Sequence, residues 1–227
     1  RDMAGSGFAS GLICLSTLTD PTAVSDSIRL PMVEIGHPLH PEHSCYVDND
    51  NQLAGYTATR YLLDRGHRRI LFLGIDNRFI MMVHRLAGYR KAMEEAGAPV
   101  REDWILPVRM IENLPDFTRL EAIFRSDNPP TAVVSMDDPL TIGLSGFLLS
   151  LGLSIPADVS VVSFNNTQAG QYHTPALTSV DVHPRELGMR AASLLLSIIR
   201  GTVDAPAHVD VPFTLVERDS VAPPRQA

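Results

Sequence analysis

The stretch from Tyr46 to Gly74 constrains the fold most strongly, because it predicts a helix followed directly by a buried strand. Asn49 and Asp50 can cap the start of this helix, since their side-chain oxygens can accept hydrogen bonds from free backbone amides. Gly66 can adopt the left-handed conformation that ends a helix. The unbroken apolar run 70–73 is typical of a parallel strand that is covered on both faces. A helix that leads into such a strand indicates an α/β fold.

Apolar runs of strand length alternate with segments of helical periodicity along the rest of the chain. Strands are predicted at 12–16, 32–35, 105–108, 131–136, 159–164, 177–182, 209–211 and 214–217. Apolar helical faces are predicted at 86–96, 117–124, 140–151 and 187–198. The polar segment 165–174 is predicted to be a loop. This alternation is typical of an α/β architecture with parallel sheets.

Composition and charge limit the partners of this chain. Its 227 residues can bury a core as one large domain or as two smaller lobes. The formal net charge of −7 argues against nucleic-acid binding by this chain alone, because such binding depends on a basic surface. Cys14 and Cys45 cannot form a disulfide framework, so we expect a cytoplasmic location. No apolar run is long enough to span a bilayer, and no membrane partner is expected.

Polar side chains follow three of the predicted strands at their carboxyl ends, where ligands bind in open α/β sheets. These clusters are Asp76-Asn77-Arg78, Asp137-Asp138 and Asn165-Asn166. Arg85 is predicted at the start of the next helix, with its stem packed and its guanidinium facing a ligand rather than the core. Carboxylates, amides and guanidinium groups can each contact two neighbouring hydroxyls, so these clusters favour a sugar-like ligand.

Each of these residues also has a purely structural interpretation. Asp138 can be the N-cap of the helix that follows it, without any ligand. Asn165 and Asn166 can be turn residues, and Arg85 can be a surface ion-pair residue. Asp50 can act as a helix cap only.

Metal and enzyme sites are less well supported. His37, His40 and His43 recur at every third residue, but prolines between them break regular structure and no tetrahedral ligand set is complete. The sequence contains no nucleophile elbow, zinc-protease helix or phosphate-binding loop. The carboxylates at 137–138 are adjacent, so they do not flank a scissile bond. We therefore expect no enzyme activity, no cofactor and no metal.

An ordered set of motifs resembles the effector-binding domain of LacI/GalR-type bacterial transcriptional regulators. The set comprises VDND, LAG and YLLDRGHRRILFLG within 46–74, RLAGYRKAMEEAG at 85–97, PTAVVSMDDPLTIG at 130–143, IPADVSVVSFNN at 155–166, PALTSV at 175–180 and ELGMRAASLLL at 186–196. Together these motifs cover most of the chain from residue 47 onward. The resemblance implies two Rossmann-like lobes with parallel sheets, periplasmic-binding-protein-like, joined by several crossovers.

The resemblance also implies which residues contact the effector. Arg85, Asp137, Asn165 and Asp50 fall on family positions that do so. The family commonly has Asn-Asp where this chain has Asp137-Asp138, and Asp-Asp where this chain has Asn165-Asn166. One carboxylate has therefore moved between strand ends, and no particular sugar can be carried over.

The same resemblance predicts the domain organisation. We expect an N-terminal subdomain of residues 1–75 plus 183–212, in which the first β-α-β segment of the family is absent. Residues 76–182 plus 213–227 are expected to form the C-terminal subdomain. The helix-turn-helix head and hinge of the family are also absent from this sequence.

These predictions combine into one functional hypothesis. The chain is expected to be the effector-binding and dimerisation core of a regulator that binds a small polar molecule, a sugar or a sugar derivative, between two lobes. The partners expected are this effector, a second copy of the chain, and operator DNA only through a head domain absent from this chain. The alternative is the solute-binding protein of a sugar uptake transporter, which has the same fold.

Overall fold

The computed structural model describes residues 9–15, 30–75, 79–109, 114–115 and 117–225. The predicted polar cluster at 76–78 lies outside these residues. The strands are β1 (Leu12–Leu15), β2 (Met32–Ile35), β3 (Tyr46–Asp48), β4 (Ile70–Ile75), β5 (Ile105–Arg109), β6 (Leu114–Pro115), β7 (Ala132–Ser135), β8 (Ser160–Phe164), β9 (Thr178–Asp181), β10 (His208–Asp210) and β11 (Thr214–Val216). The helices are α1 (Asn51–Asp64), α2 (Ile80–Glu95), α3 (Phe117–Phe124), α4 (Asp138–Ser150), α5 (Gln168–Tyr172) and α6 (Pro184–Ile199), with a 3₁₀ turn at Glu102–Trp104.

The chain divides into two compact units. Unit 1 comprises residues 1–50, 77–81 and 183–212, and unit 2 comprises residues 51–76, 82–182 and 213–227. The predicted N-terminal subdomain is therefore wrong for residues 51–75, which belong to unit 2. The reason is that β4 is hydrogen-bonded to β5 and β7, so it lies inside the sheet of unit 2.

Unit 1 contains a four-stranded parallel sheet in the order β1-β2-β3-β10. One face of this sheet packs against α6. The buried contact residues are Val33, Cys45, Val47 and Val211 on the sheet side and Leu187, Ala191, Leu194 and Leu195 on the helix. Their positions on α6 follow the predicted helical periodicity, which explains why the sequence indicated this helix correctly.

Unit 2 contains a seven-stranded sheet in the order β11-β9-β8-β7-β4-β5-β6. Its inner strands are parallel, whereas β11 and β6 pair antiparallel at the two edges. α3 and α4 cover one face with a large apolar core that includes Leu71, Val133, Val161, Leu120, Leu140, Leu144 and Leu148. The predicted α/β class with parallel sheets is confirmed.

One short helix differs from the sequence-based predictions. The segment 165–174 was predicted to be a loop, but it contains α5, whose N-cap is Thr167. This helix has too few residues and too polar a composition to show an apolar periodicity.

Within the described residues, no helix is both long and apolar enough to cross a membrane.

Candidate functional site

Asp137 and Asn165 lie beyond the carboxyl ends of two neighbouring strands of unit 2. β7 and β8 are parallel and in register from Ala132 opposite Ser160 to Val134 opposite Val162. Since Asp137 follows β7 and Asn165 follows β8, both are at the same edge of the sheet. This edge is the place where parallel α/β sheets bind ligands.

Arg85 on α2 connects these two strand ends. Its Nε donates to Asn51 Oδ1 at 2.9 Å, and its Nη1 donates to the carbonyl oxygen of Met136 at 3.3 Å. The guanidinium carbon lies 4.2 Å from the centre of the Phe164 ring. Arg85 therefore contacts the residues that immediately precede Asp137 and Asn165. The structure thus brings these three predicted residues together.

The burial of Arg85 corrects two expectations. Arg85 is only 4% exposed, so the surface ion-pair interpretation is wrong. The expectation that its guanidinium lies outside the packed interior is also wrong, because that group is held by protein acceptors and by an aromatic ring. Whether Arg85 also contacts a ligand stays a prediction.

Asp137, rather than Asp138, is the N-cap of α4. Asp137 has an extended backbone, and its Oδ1 accepts a hydrogen bond from the amide of Leu140 at 2.7 Å. The predicted cap was therefore one residue too late. Burial raises the pKa of the Asp137 carboxyl, and the Leu140 amide and the Arg85 guanidinium oppose that rise. The capping bond engages Oδ1, and a ligand contact by Asp137 stays a prediction.

Asp138 instead reaches across to the chain that follows β8. Its fully buried carboxylate accepts from the Thr167 amide at 2.6 Å, the Thr167 hydroxyl at 2.9 Å and the Ser179 hydroxyl at 3.0 Å. Sequence reasoning missed this role because the donors are 29 and 41 residues away. No local pattern indicates such long-range contacts.

Asn165 and Asn166 have different roles, although both take left-handed backbone conformations, with φ of +87° and +46°. Asn tolerates this region better than most residues, so the turn interpretation is correct for the backbone of both. The Asn166 side chain is committed to the scaffold: Nδ2 donates to Asp181 Oδ2 at 2.8 Å, and Oδ1 accepts from Arg218 Nη2 at 2.6 Å. Among the described residues, the half-buried Asn165 side-chain amide has no hydrogen-bond partner.

Asp50 belongs to unit 1, whereas the other three predicted residues belong to unit 2. Asp50 is exposed and immediately precedes α1, at the N-cap position. The preceding Asn49 is buried, and its Nδ2 donates to the Val211 carbonyl at 2.8 Å. Asn49 thus anchors this turn within unit 1. A ligand contact by Asp50 stays a prediction.

The histidine-rich loop 37–43 contains the candidate metal ligands of this sequence. His40 and His43 each approach the same Glu42 oxygen, at 3.5 and 3.7 Å. In the parts of the chain that the structure describes, no group of three His, Cys, Asp or Glu side chains is placed to hold a metal ion. Cys14 and Cys45 are both free thiols.

Comparison with known proteins places this geometry in a family. Residues 59–221 match the family described as "Periplasmic binding protein-like domain". The chain belongs to this family. Curated relatives include the HTH-type transcriptional regulator MalR of Staphylococcus xylosus, 29% identical over 92% of this chain and 61% of the relative. The HTH-type transcriptional repressor PurR of Vibrio cholerae serotype O1 (strain M66-2) is 32% identical over 85% of this chain and 57% of the relative.

Solved structures give the same assignment. A regulatory protein of the LacI family from Chloroflexus aggregans has a TM-score of 0.86 and 27% identity, over 98% of this chain and 80% of that protein. A LacI family regulator from Enterococcus faecium with bound ribose has a TM-score of 0.85 and 25% identity, over 99% of this chain and 83% of that protein. The regulator CelR in complex with cellobiose has a TM-score of 0.86 and 27% identity, over 96% of this chain and 68% of that protein.

These comparisons confirm the predicted resemblance to the LacI/GalR-type effector-binding domain and the periplasmic-binding-protein-like fold. They agree with the expectation that the chain is not an enzyme, because the reported relatives are transcriptional regulators. The chain spans only 61% and 57% of the length of the two curated relatives described above.

Proposed function

We propose that this chain binds a small polar effector, a sugar or a sugar derivative, at the carboxyl ends of the unit 2 strands. Arg85, Asp137 and Asn165 would contact the ligand. The observation that carries this proposal is the half-buried amide of Asn165, which has no hydrogen-bond partner among the described residues and lies beside a strand end organised by Arg85.

The chemistry of these groups suits a polyol. An amide offers both a donor and an acceptor, a carboxylate oxygen accepts, and a guanidinium donates. Neighbouring hydroxyls of a sugar present donors and acceptors in the same mixture. Two similar proteins were solved with ribose and with cellobiose, which supports a sugar-like ligand for this chain as well.

Effector binding would serve transcription regulation. In this proposal the chain is the effector-binding and dimerising core of a cytoplasmic LacI/GalR-type regulator, and the ligand alters operator binding by a DNA-binding head domain. Its two-fold dimer would match a two-fold operator. The transporter alternative is not favoured, because the reported relatives are regulators.

Replacing Asn165 by glycine tests the site directly. Asn165→Gly removes the amide without backbone strain, since glycine accepts the φ of +87° found here. We expect the variant to bind the effector about fivefold or more weakly, because one lost hydrogen bond contributes about 1 kcal/mol. A thermal-shift screen of sugars, beginning with ribose and cellobiose, would identify the effector, and calorimetric titration would measure the affinity.

Asn128→Gly is the matched control. Asn128 is exposed and precedes β7, so it lies toward the amino end of a strand whose carboxyl end carries the proposed site. Its replacement should leave the affinity unchanged. Equal affinity of Asn165→Gly and wild type would show that the site is placed wrongly, and a wild-type chain that binds no sugar would contradict the proposed ligand class.

A further inference from the structure

Three consecutive backbone amides after β8 are each held by a specific acceptor. The Asn165 amide donates to the Val180 carbonyl at 2.8 Å. The Asn166 amide donates to the Ser179 hydroxyl at 3.0 Å, and the Thr167 amide donates to Asp138 Oδ2 at 2.6 Å. The direction of the Asn165 side chain depends on this backbone, so these acceptors determine where its amide points.

One carboxylate controls two of these three amides. Asp138 Oδ2 accepts from the Thr167 amide directly. Asp138 Oδ1 accepts the single hydroxyl hydrogen of Ser179, which leaves the Ser179 oxygen oriented to accept from the Asn166 amide. Asp138 and Ser179 are both fully buried, so water does not compete for these bonds.

The same carboxylate packs directly against α5. The Thr167 hydroxyl donates to Asp138 Oδ2 and accepts from the Gly170 amide at 3.2 Å, so it caps the helix while bound to the carboxylate. A Cβ atom on Gly170 would lie 2.7 Å from Asp138 Oδ2. No larger side chain fits there, so α5 and Asp138 have little freedom to shift relative to each other.

The loop needs such support because two of its residues have unfavourable backbones. Non-glycine residues in the left-handed region persist where the surrounding structure fixes them. Asn165 and Asn166 are two such residues in succession. Ser179 and Asp138 accept from the backbone amides of the second of them and of the residue that follows, while Asp181 and Arg218 hold the Asn166 side chain.

We propose that Asp138 is a positioning residue for the effector site. Its negative carboxylate holds the 165–167 loop in the conformation, left-handed at Asn165 and Asn166, that presents the Asn165 amide to the ligand. This inference rests on the proposed function, because it takes Asn165 as a ligand-binding residue. It separates the two adjacent aspartates, since Asp137 caps α4 and faces the site, whereas Asp138 acts from behind it.

Asp138→Asn tests the proposal with little change in shape. An asparagine has one acceptor oxygen, so its NH₂ group must face either the Thr167 donors or the Ser179 hydroxyl. We expect the exchange of the Asn166 and Thr167 amides with solvent hydrogen to accelerate about tenfold. The effector affinity should fall by about tenfold as well, because the loop that carries Asn165 loses a charged hydrogen-bond acceptor.

Asp158→Asn is the matched control. The Asp158 carboxylate also accepts from the amide and the hydroxyl of one residue, Ser154, at 2.9 and 2.8 Å, but Ser154 precedes β8, whereas Thr167 follows it. Both variants weaken the bonds of a carboxylate to an amide and a hydroxyl, so both should lower the melting temperature. Only Asp138→Asn should lower the effector affinity, a difference that a general loss of stability does not produce.

Ser179→Ala removes only the hydroxyl through which Asp138 acts on the Asn166 amide. It is also the variant to measure if Asp138→Asn does not fold. This variant should expose the Asn166 amide to exchange, leave the Thr167 amide protected, and weaken effector binding less than Asp138→Asn. Wild-type affinity together with wild-type protection of both amides in Asp138→Asn would overturn the inference. If wild type binds no sugar, the proposed function fails, and amide exchange still decides whether Asp138 holds the loop.

Discussion

At the scale of single residues, Arg85 organises the strand ends that Asp137 and Asn165 follow. Arg85→Ala should weaken effector binding at least about tenfold, because bonds from a charged donor contribute about 1.5–3 kcal/mol each. It should also lower the free energy of unfolding by about 2 kcal/mol or more, since Asn51 Oδ1 and the Met136 carbonyl lose their donor in a buried place. Calorimetric titration and denaturant unfolding measure the two effects.

Arg85→Lys and Arg125→Ala complete this experiment. Lysine keeps the charge, but its donors sit on a single nitrogen and it has no planar group to stack on Phe164, so it should restore little of the affinity. Arg125 forms an exposed ion pair with Glu121 one helical turn away, and its loss should change stability by only about 0.5 kcal/mol. Wild-type affinity of Arg85→Ala would show that Arg85 is a purely structural residue.

The sequence located these residues better than it described their contacts. Asp137 and Asn165 are predicted at strand ends, and the structure places them there, whereas Arg85 is predicted at the start of a helix and lies within α2. The helix cap was assigned to Asp138 instead of Asp137, because both can cap a helix and the actual contacts of Asp138 depend on Thr167 and Ser179. These donors are distant in the sequence, so only the folded chain reveals them.

At the scale of helices and strands, two glycines determine how closely α1 and α2 pack. A Cβ atom on Gly55 would lie 2.1 Å from the Arg85 carbonyl oxygen, and one on Gly88 would lie 2.0 Å from the Gln52 carbonyl oxygen. Both distances are far below van der Waals contact. The backbones therefore approach each other directly, and this approach places Arg85 beside Asn51.

Gly88→Ala should force the two helices apart. We expect the free energy of unfolding to fall by about 1–3 kcal/mol or more, which is the usual cost of overpacking. Gly143→Ala on α4 is the control, because no atom lies within 4 Å of its added Cβ. That change should raise stability by up to about 1 kcal/mol, since alanine favours a helix over glycine. Thermal or urea unfolding would show whether the two glycines differ in this way.

Periodicity predicted most of the long elements, and it did so for a physical reason. A helix such as α6 or a buried strand such as β8 must place apolar residues at regular positions to reach a core. α5 lacks that requirement, because it is held by Thr167 and Asp138 rather than by apolar packing. The close approach at Gly55 and Gly88 was not predicted either, since a glycine in a helix does not show what it faces.

At the scale of the whole molecule, the alternation of strands and helices predicted the α/β class. The assignment of residues 51–75 to unit 2, in contrast, depends on the order of the strands in its sheet. A strand shows in its sequence that it is buried, not which strands flank it. β4 joins unit 2 because its partners are β5 and β7, which come later in the chain. The C-terminal segment likewise returns to unit 2, where β11 pairs with β9.

His67 forms a hydrogen bond that links the C-terminal segment 213–225 to the rest of unit 2. Its ring is 1% exposed, and its Nε2 lies 2.8 Å from the Ala222 carbonyl oxygen, 155 residues further along the chain. A carbonyl only accepts, so Nε2 carries the hydrogen in the neutral ring. Nδ1 therefore accepts from the Thr131 hydroxyl at 2.9 Å. The neutral form satisfies both contacts.

Global stability should consequently decrease as the pH falls below about 6.5. Burial lowers the pKa of His67, and the charges of Arg65 and Arg69 act in the same direction. Below the ordinary value the unfolded chain binds a proton that the folded chain resists, so the free energy of unfolding falls, by at most about 1.4 kcal/mol per pH unit for one group. His67→Gln can still donate to Ala222 and does not titrate, so its urea unfolding should lose this slope below about pH 6.5. His43→Gln, at an exposed histidine, should keep it. An unchanged slope in His67→Gln would assign the pH dependence to other groups.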